Sequence, residues 1–581
     1  MEGLYMKKNK IAKGIAVSGL LLSMVPAGIS TAADDAAKTT QGQAPASKNL
    51  IVLIGDGMGP AQVAAARYYS KTKLNQEHLN LDSYYVGQAT TYADRGEDGG
   101  KIVSGVVTDS ASAGTAFATG HKTYNAGISV SNEDVSLPYA SVIEAAEKSG
   151  KATGLVTTAR ITHATPAVYA SHVRSRDNEN AIASQYLDSG VDVLFGGGKQ
   201  FFVTKEEKGK RPDKSLLPDF QAKGYQLVEN AEGLQSLTAK NSKALGLFGS
   251  SHVAYTPDRD ASTPSLAAMT DKALEILSAD EKGFAIMIEG GRIDHASHAN
   301  DFPSTVQEVM DFDAAVKVAM DFAKKDGNTS VVITADHETG GLSLSRDNLY
   351  ELNIDLWDKQ KKSSEALIPQ LTKATTIEEI KQIVADNTWI TDLTDEEAQF
   401  ILKGDGSSYK QEGAYNNVIA KRLLVGWSGH GHSAVDVGVW AYGPIADQVK
   451  GQIDNTQIAK ASASVIGVDL AAAAAELQAK YLYPKFKITR EGTVLFPAKA
   501  LGEKLGAAVV WDEASRSVKL TKGSQSMTVS VETNKVQLNG QDAAYAANVD
   551  NGTLYLPLEA FNSLAGTSMT WDSLSERLVL K

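Results

Sequence analysis

The chain has 581 residues, of which 43% are hydrophobic and 22% are charged, and its formal net charge is −12. This length predicts two or more domains, and the acidic balance argues against a general nucleic-acid binder, so we expect no specific nucleic-acid partner. Because the chain contains no cysteine, disulfides and thiolate metal sites are excluded, and any metal must be held by His, Asp, Glu and other oxygen ligands.

The N-terminus has the pattern of a targeting segment. Four lysines precede a short apolar run, which leads to a small-residue site near Ala32. This order predicts a secretory signal peptide over residues 1–32, with a membrane anchor as the alternative, and the polar residues 33–47 are predicted to be a flexible leader. No later run reaches the ~18–20 apolar residues that a membrane helix needs. We therefore expect a secreted protein without a membrane span, which a Gram-negative host would keep in the periplasm.

From residue 48 onward, apolar segments alternate with helical ones. The segments NLIVLIG, ATGLVTTAR, VDVLFGGG, FAIMIEGG, SVVITA and VDVGVWAY are predicted strands, and a helix is predicted from Pro60. Fully apolar strands that alternate with helices indicate an α/β fold with a mostly parallel central sheet and helices on both faces. Sites in such folds lie beyond the carboxyl ends of the strands. Asp56, Glu289, Asp336 and His337 all lie at or just after strand ends, which predicts one shared site.

The catalytic part is predicted to span residues 48–480 and to contain an insertion. Residues 347–425 are richer in charged residues and helix formers than their surroundings. We interpret them as a helical insertion beside the site.

The C-terminal residues 485–581 contain an internal repeat. Pro497 matches Pro557 and Trp511 matches Trp571 at one constant offset. Each unit is predicted to form a short strand, a helix and a Trp-bearing strand, so the two units predict a small α+β accessory domain. This domain contains no histidine and no cluster of metal-type ligands, which indicates a noncatalytic role.

Metal-type ligands concentrate in three segments, which contain five of the ten histidines. Asp294 and His298 are four residues apart, so a helix would place them on one face, where they can hold one cation. The alternative is a solvated helix start. Asp336 and His337 are adjacent after an apolar strand, where both can face one metal. One histidine of the HGH sequence at residues 430–432 can complete a tetrahedral site.

Ser110 follows Asp109 in the segment VTDSASAGTAFATG, at the predicted start of a helix. Helix N-termini bind phosphate-like anions, and Ser110 is either a helix cap or a nucleophile. A serine hydroxyl needs a base or a metal to attack at pH 7, and the chain has no GxSxG signature. Because metal-type ligands are abundant, the sequence favours a metal-activated Ser110.

The segment THATPAVYASHVRSR offers an anion-binding residue. His163 and Thr165 are predicted to lie in a loop before a helix, and Arg176 is predicted on that helix or at its end. Arginine suits a bidentate grip on a tetrahedral oxyanion. The alternative for Arg176 is a surface cation.

Six segments in this order resemble the alkaline phosphatase family over roughly residues 48–470: IGDGMG, TDSASAGTA, HATPAVYASHVRSR, EGGRIDHASH, TADHETGG and HSAVDVGVWAYGP. The resemblance implies a phosphomonoesterase of broad substrate range that acts on small phosphate monoesters through a phosphoserine. It also implies two Zn²⁺ ions and one Mg²⁺ ion as cofactors, and a homodimer.

The same resemblance implies a role for each site residue. Ser110 would be the nucleophile, and Arg176, steadied by Asp109, would clamp two phosphoryl oxygens. His163 and His295 stand where the enterobacterial enzymes carry Asp and Lys, so the metal of the third site stays open, and we expect an alkaline pH optimum. The implied ligand sets are Asp294, His298 and His432 for the first zinc, Asp56, Asp336 and His337 for the second, and Asp56, Thr165 and Glu289 for magnesium.

Two other classes of function remain as alternatives. A phosphodiesterase or a sulfatase can use the same metal scaffold, but Ser110 and Arg176 favour monoesters. A surface-binding protein with an idle hydrolase domain is disfavoured by the complete ligand set. The C-terminal repeat resembles the copper amine oxidase N-terminal-like domain, and we interpret residues 485–581 as a module that contacts the cell wall or a surface polymer. We accordingly expect truncation near residue 480 to spare the activity.

Overall fold

The computed structural model describes residues 46–94, 97–98, 101–102 and 106–581. The predicted signal peptide and nearly all of the predicted leader lie outside these residues. Ser47, at the end of that leader, is buried, and its Oγ lies 2.8 Å from the hydroxyl of Ser330. The last residue of the predicted leader, Ser47, is therefore packed against the catalytic part and is not flexible.

A ten-stranded mixed sheet forms the centre of the larger part of the chain. The strands before residue 480 are β1 Asn49–Gly55, β2 Tyr85–Thr90, β3 Glu97–Asp98, β4 Lys101–Ile102, β5 Val135–Ser136, β6 Ala152–Arg160, β7 Val193–Gly197, β8 Gln226–Val228, β9 Ala244–Leu247, β10 Phe284–Gly290, β11 Thr329–Ala335, β12 Glu338–Thr339, β13 His432–Ser433, β14 Val437–Tyr442 and β15 Gly451–Asp454. The order in the central sheet is β15-β2-β14-β11-β1-β10-β6-β7-β9-β8. Only β14 runs antiparallel to its neighbours in this sheet, which confirms the mostly parallel prediction.

Helices cover both faces of this sheet, as the alternation of apolar strands predicts. One group (α1, α8, α9 and α10) and a second group (α2, α3, α15 and α16) each pack together and against the central strands. The helices before residue 480 are α1 Pro60–Lys73, α2 Ser110–Thr119, α3 Val142–Lys148, α4 Ala164–Ala167, α5 Glu179–Ser189, α6 Leu217–Ala222, α7 Ala231–Ser236, α8 Leu266–Leu277, α9 Arg292–His298, α10 Phe302–Asp326, α11 Ser364–Leu371, α12 Ile377–Asn387, α13 Asp395–Lys403, α14 Lys410–Leu423, α15 Thr456–Ile466 and α16 Leu470–Gln478.

Strand register brings the site residues to one edge of the sheet. In β1, β10 and β11, every residue is buried, so these strands are held between the two helical layers. Gly55 pairs with Gly290 on one side and with Ala335 on the other, so the three strands end side by side. The residues at these ends, Glu289, Asp56 and Asp336, must therefore lie close together.

The predicted helical insertion, residues 347–425, contains α11 to α14 and has its own buried cluster. Trp357, Leu367 and Tyr415 are almost completely buried within it. Two of its helices begin with a capping box, in which Thr376 and Thr394 each bond the backbone N–H three residues later. The last helix, α14, leads directly to the segment that carries His430 and His432.

The C-terminal region forms small antiparallel sheets. Its elements are β16 Tyr481–Pro484, β17 Ile488–Arg490, β18 Thr493–Pro497, α17 Ala498–Lys504, β19 Ala508–Asp512, β20 Ser517–Lys522, β21 Gln525–Ser530, β22 Val536–Leu538, β23 Gln541–Ala543, β24 Asn548–Asp550, β25 Thr553–Pro557, α18 Leu558–Ala565, β26 Thr570–Asp572 and β27 Arg577–Val579. The repeat is visible in the pairing of β18 with β25, where Phe496 lies opposite Leu556. Strand β16 pairs with β27 on one side and with β5 on the other, so the region is joined to the catalytic part through a shared sheet.

Among the described residues, no single helix is both long enough and apolar enough to cross a membrane. The consecutive helices α15 and α16 meet the length and composition criteria only as a pair, and they are bent by 108° relative to each other.

Candidate metal and phosphate site

The first cluster of the site joins helix α9 to the start of β13. Nε2 of His298 lies 3.2 Å from Oδ1 of Asp294, and Nε2 of His432 lies 3.5 Å from the same oxygen. The two imidazole Nε2 atoms are 3.0 Å apart. Nδ1 of His432 lies 2.8 Å from the carbonyl oxygen of Thr108, to which it can donate, leaving Nε2 free to ligate. These three side chains have the composition and the mutual distances of a metal site.

The second cluster lies beside the first and is fully buried. Nε2 of His337 is 3.0 Å from Oδ2 of Asp336 and 3.7 Å from Oδ1 of Asp56. The His337 ring stacks on the His432 ring with centroids 3.5 Å apart, so the two clusters are in direct contact. The same Nε2 lies 3.2 Å from Oγ of Ser110. The candidate nucleophile therefore borders the second cluster.

The third cluster consists of Asp56, His163 and Glu289, whose ligand atoms all lie within 4.8 Å of one another. The sequence predicts Thr165 at this place with the two carboxylates. Thr165 is buried in α4, and His163 is the residue directly before that helix. His295, the other variable position, has its ring 5.2 Å from that of His163. The structure therefore brings Asp56, His163 and Glu289 together, with Thr165 and His295 beside His163.

Buried polar atoms without partners test whether these clusters fit cations. Among the described residues, several buried oxygen and nitrogen atoms at the site make no hydrogen bond, although such atoms are normally satisfied. An unpaired buried carboxylate is costly unless a cation or a proton compensates it. The donor set of carboxylates and imidazoles therefore fits divalent metals. The unpartnered atoms are both Oδ atoms of Asp56, Oδ2 of Asp336, Oε1 of Glu289, Oγ1 of Thr165, and Nδ1 of His163 and of His295.

In the protein without metals, the crowding of buried acids shifts the pKa values of the site residues. Burial, with Asp336, Asp294 and Glu289 nearby, raises the pKa of Asp56 well above its ordinary value. Burial likewise raises the pKa of Glu289 to about 7. In the first cluster, burial disfavours both charges, yet their mutual attraction prevails: it holds the pKa of Asp294 well below its ordinary value and raises the pKa of His298 to about 9. A divalent cation would take the place of the proton on that imidazole.

Ser110 is the first residue of α2, and Asp109 is its N-cap. Oδ1 of Asp109 accepts a 2.9 Å hydrogen bond from the backbone N–H of Ser112. The sequence allowed Ser110 to be either a helix cap or a nucleophile. Because Asp109 caps the helix, the hydroxyl of Ser110 is free to face the clusters. Close packing explains the small residues of this helix, since a Cβ on Gly114 would lie 3.1 Å from the side chain of Val168.

Arg176 lies in the loop between α4 and α5, and not on a helix as the sequence predicts. Helix α4 ends after one turn, at Ala167, and the chain then forms an isolated bridge between Val173 and Ile128 before it reaches Arg176. Nη1 of Arg176 donates to Oδ2 of Asp109 at 3.1 Å, and Nη2 lies 3.0 Å from Nε2 of His163. The alternative of a free surface cation is thereby excluded, since the guanidinium is held beside the start of α2.

Three further residues serve the site and were not identified from the sequence. Thr157 donates a hydrogen bond to Glu289 and pairs with it across β6 and β10, a relation that strand register can predict. Thr339 donates to Oδ1 of Asp294 and lies two residues after His337 in the HETGG segment, which was the available signal. The ring of His252 lies 4.2 Å from that of His295, and no local signal marks it.

Comparisons with known proteins agree with this arrangement. The alkaline phosphatase family model matches residues 47–468, and the model of the copper amine oxidase N-terminal domain matches residues 479–580. Alkaline phosphatase 3 of Bacillus subtilis (strain 168) is 39% identical over 460 residues, which cover 78% of this chain and 94% of that relative.

Solved structures give the same result. The crystal structure of Thermus thermophilus alkaline phosphatase superposes with a TM-score of 0.65 at 30% identity and covers 75% of this chain and 95% of its own. A His-to-Asp variant of alkaline phosphatase from the Antarctic bacterium TAB5, with Mg bound in its M3 site, has a TM-score of 0.52 at 29% identity and covers 74% and 100%. The chain described here therefore belongs to the alkaline phosphatase family, and it is a phosphatase enzyme.

Proposed function

We propose that this phosphatase is a metal-dependent phosphomonoesterase that forms a phosphoserine on Ser110. The observation that carries the proposal is the position of the Ser110 hydroxyl, 3.2 Å from His337 in the second cluster. Asp109, the preceding residue, holds the guanidinium of Arg176. A nucleophile, a metal-type cluster and a bidentate anion binder therefore meet at the start of one helix.

The three clusters would hold three cations. Two Zn²⁺ ions, when bound, would favour the alkoxide form of the serine and stabilise charge on the leaving oxygen. The residues that support this assignment carry unpartnered atoms or lie within ligand distance of one another. Asp294, His298 and His432 would hold the first zinc, Asp56, Asp336 and His337 the second, and Asp56, Thr165 and Glu289 the magnesium.

The third site has an imidazole where a magnesium site would favour oxygen ligands. His163 lies within ligand distance of Asp56 and Glu289, and imidazole suits zinc or another transition metal better than magnesium. The related TAB5 variant with Mg in its M3 site carries aspartate in place of a histidine. We propose Mg²⁺ for this site as the resemblance implies, with a transition metal as the alternative that His163 favours.

The reaction proceeds in two displacements at phosphorus. The Ser110 oxygen would lose its proton and form a bond to phosphorus while the ester bond breaks, and the departing oxygen would take up one proton from water and leave as the alcohol, so that protons balance. Water would then attack the phosphoserine, releasing inorganic phosphate and restoring the Ser110 hydroxyl. Arg176 would grip two phosphoryl oxygens in both steps, so positioning and charge provide most of the catalysis.

Specificity and environment follow from the same arrangement. The proposed contacts grip the phosphoryl group and leave the alcohol outside, which supports a broad range of small phosphate monoesters. Alkoxide and hydroxide are the reactive species, which supports an alkaline optimum. We also propose that the protein is exported and that it forms a homodimer. Residues 485–581 are proposed to contact the cell wall or a surface polymer.

The test is p-nitrophenyl phosphate turnover at pH 7 to 10 for the wild type and Ser110→Ala, with bound metals counted. We expect Ser110→Ala to lose several orders of magnitude while it retains its metals. Thr119→Ala, at the far end of the same helix, is the matched control and is expected to keep full activity. If Ser110→Ala keeps most of the activity, water attacks the substrate directly and the phosphoserine route is wrong.

A further inference from the structure

The loop that carries Arg176 has contacts on both sides with the C-terminal region. Residues 171–178 contain no helix, and their only strand-like feature is the bridge of Val173 to Ile128. The backbone N–H of Arg176 donates to the carbonyl of Ala126 at 2.8 Å. Other bonds also hold the loop, including those of the His172 ring, and the contacts nearest to Arg176 limit where its side chain can reach.

The first tether from the C-terminal region lies two residues before Arg176. Nη1 of Arg174 donates to the carbonyl of Tyr483 in β16 at 3.3 Å and to the hydroxyl of Ser136 in β5. These two acceptors belong to adjacent strands, because Tyr483 pairs with Ser136 where the C-terminal region joins the catalytic part. The guanidinium of Arg174 is thus fixed at the junction itself. Charge-assisted hydrogen bonds of this kind are stronger than neutral ones.

The second tether lies two residues after Arg176. Nδ2 of Asn178 donates to the carbonyl of Leu574 at 2.7 Å, and Leu574 lies in the turn between β26 and β27. Strand β27 pairs with β16, so the strand that carries Tyr483 and the turn that carries Leu574 belong to one connected β unit. The same β unit therefore contacts the loop on both sides of Arg176.

The two repeats differ at this contact. Leu574 of the second repeat packs against the main hydrophobic core. Its counterpart in the first repeat is Ala514, which is exposed. Trp571 likewise packs on Phe496 with ring centroids 5.2 Å apart, whereas Trp511 remains 44% exposed. Both repeats contact the catalytic part, since Nζ of Lys504 in the first repeat donates to Oε2 of Glu133 at 2.6 Å, whereas the second repeat provides the turn that accepts from Asn178.

We propose that the C-terminal region positions Arg176 for phosphate binding, through Arg174 and Asn178 as positioning residues. This inference rests on the proposed role of Arg176 as the phosphoryl clamp. It revises the expectation from sequence that truncation near residue 480 spares the activity, since truncation would remove the carbonyl of Tyr483, which is one acceptor of Arg174, and the carbonyl of Leu574, which accepts from Asn178.

The experiment measures the inhibition constant of inorganic phosphate, with KM and kcat for p-nitrophenyl phosphate, in the full-length metal-loaded enzyme. We expect Arg174→Ala and Asn178→Ala each to raise KM and the phosphate inhibition constant by about 2- to 10-fold, the effect of one lost hydrogen bond. The change in kcat should be smaller than the change in KM. Gln478→Ala removes one hydrogen bond inside the catalytic part near the junction, from its Nε2 to the carbonyl of Pro138, and is the matched control.

A double-mutant cycle with Arg176→Ala separates positioning from general destabilisation. If Asn178 acts through Arg176, Asn178→Ala has no further effect on phosphate affinity once Arg176 is alanine. Equal effects in both backgrounds, an equal effect of Gln478→Ala, or unchanged constants in both positioning variants would overturn the inference. If Arg176→Ala itself leaves the inhibition constant of phosphate unchanged, Arg176 does not bind the phosphoryl group, and the proposed function is wrong on this point.

Discussion

His298 and His430 exchange hydrogen bonds across the first cluster. Nδ1 of His430 donates to the carbonyl of His298 at 2.7 Å, and Nδ1 of His298 donates to the carbonyl of His430. The Tyr409 ring stacks on His430 with centroids 4.7 Å apart, and a carboxylate oxygen of Asp405 lies 3.7 Å from its Nε2. The end of the helical insertion therefore contacts a candidate zinc ligand through His430.

His430→Ala is expected to weaken zinc binding at the first site. The substitution removes the donor that fixes the backbone of His298, and loss of such outer contacts commonly costs about 10- to 100-fold in metal affinity. The measurement is the rate of zinc loss to a chelator, followed by metal analysis. His121→Ala, an exposed histidine stacked on Tyr139, is the control. Unchanged zinc loss in His430→Ala would contradict the role of this pair.

Removal of the metals is expected to lower both activity and thermal stability. Without cations, the buried carboxylates of Asp56, Asp336 and Glu289 face one another and retain unpartnered oxygens. A ligand that binds only the folded state stabilises it, so its removal lowers the unfolding temperature. Calorimetry and turnover after EDTA treatment, and again after Zn²⁺ and Mg²⁺ are restored, measure both effects. An unfolding temperature that EDTA leaves unchanged would show that the clusters are stable without metal.

His163→Asp is expected to increase magnesium binding at the third site. An added carboxylate beside Asp56 and Glu289 makes the ligand set harder and more negative, which favours Mg²⁺ over transition metals. The measurement is the Mg²⁺ content and the Mg²⁺ concentration for half-maximal activity. His163→Asn has nearly the same shape without the charge and is the matched control. If both variants bind Mg²⁺ equally, the identity of residue 163 does not select the metal.

The central sheet and much of the site were predictable because local patterns determine them. The segment ATGLVTTAR is β6 without change of boundary, since a short run rich in β-branched residues has strong strand preference. The convergence of Asp56, Glu289 and Asp336 follows from parallel strands that end together. The i,i+4 spacing of Asp294 and His298 on α9 likewise required only helical geometry.

Contacts between distant segments were not predictable from these patterns. Arg176 lies in a loop after the short helix α4, and this loop forms a bridge from Val173 to Ile128, a pairing between separate segments that propensity does not encode. His252 reaches His295 only through the fold. The pairing of β16 with β5 joins the C-terminal region to the catalytic part, and it involves short strands whose partners lie hundreds of residues apart.

Glu412 in α14 provides a pH-dependent contribution to stability away from the metal clusters. Its Oε1 accepts a 2.8 Å hydrogen bond from Ser364, and Asp301 and Glu365 lie nearby. Burial, with these two acids, raises the pKa of Glu412 to about 7 from an ordinary 4.5. The folded state therefore binds more protons than the unfolded state between these values, and stability falls as the pH rises through this window.

Glu412→Gln is expected to remove this loss of stability. The amide resembles the protonated carboxyl, so the variant and the wild type should have nearly equal unfolding temperatures at pH 4, below the ordinary pKa. At pH 8 the variant should be more stable, by up to about 3 kcal/mol if the whole pKa difference is realised. Glu396→Gln, at an exposed position of α13, is the control and should show no such pH dependence. Equal unfolding temperatures at pH 8 would mean that Glu412 ionises in the folded protein without cost, and that water or a shift of Ser364 solvates its charge.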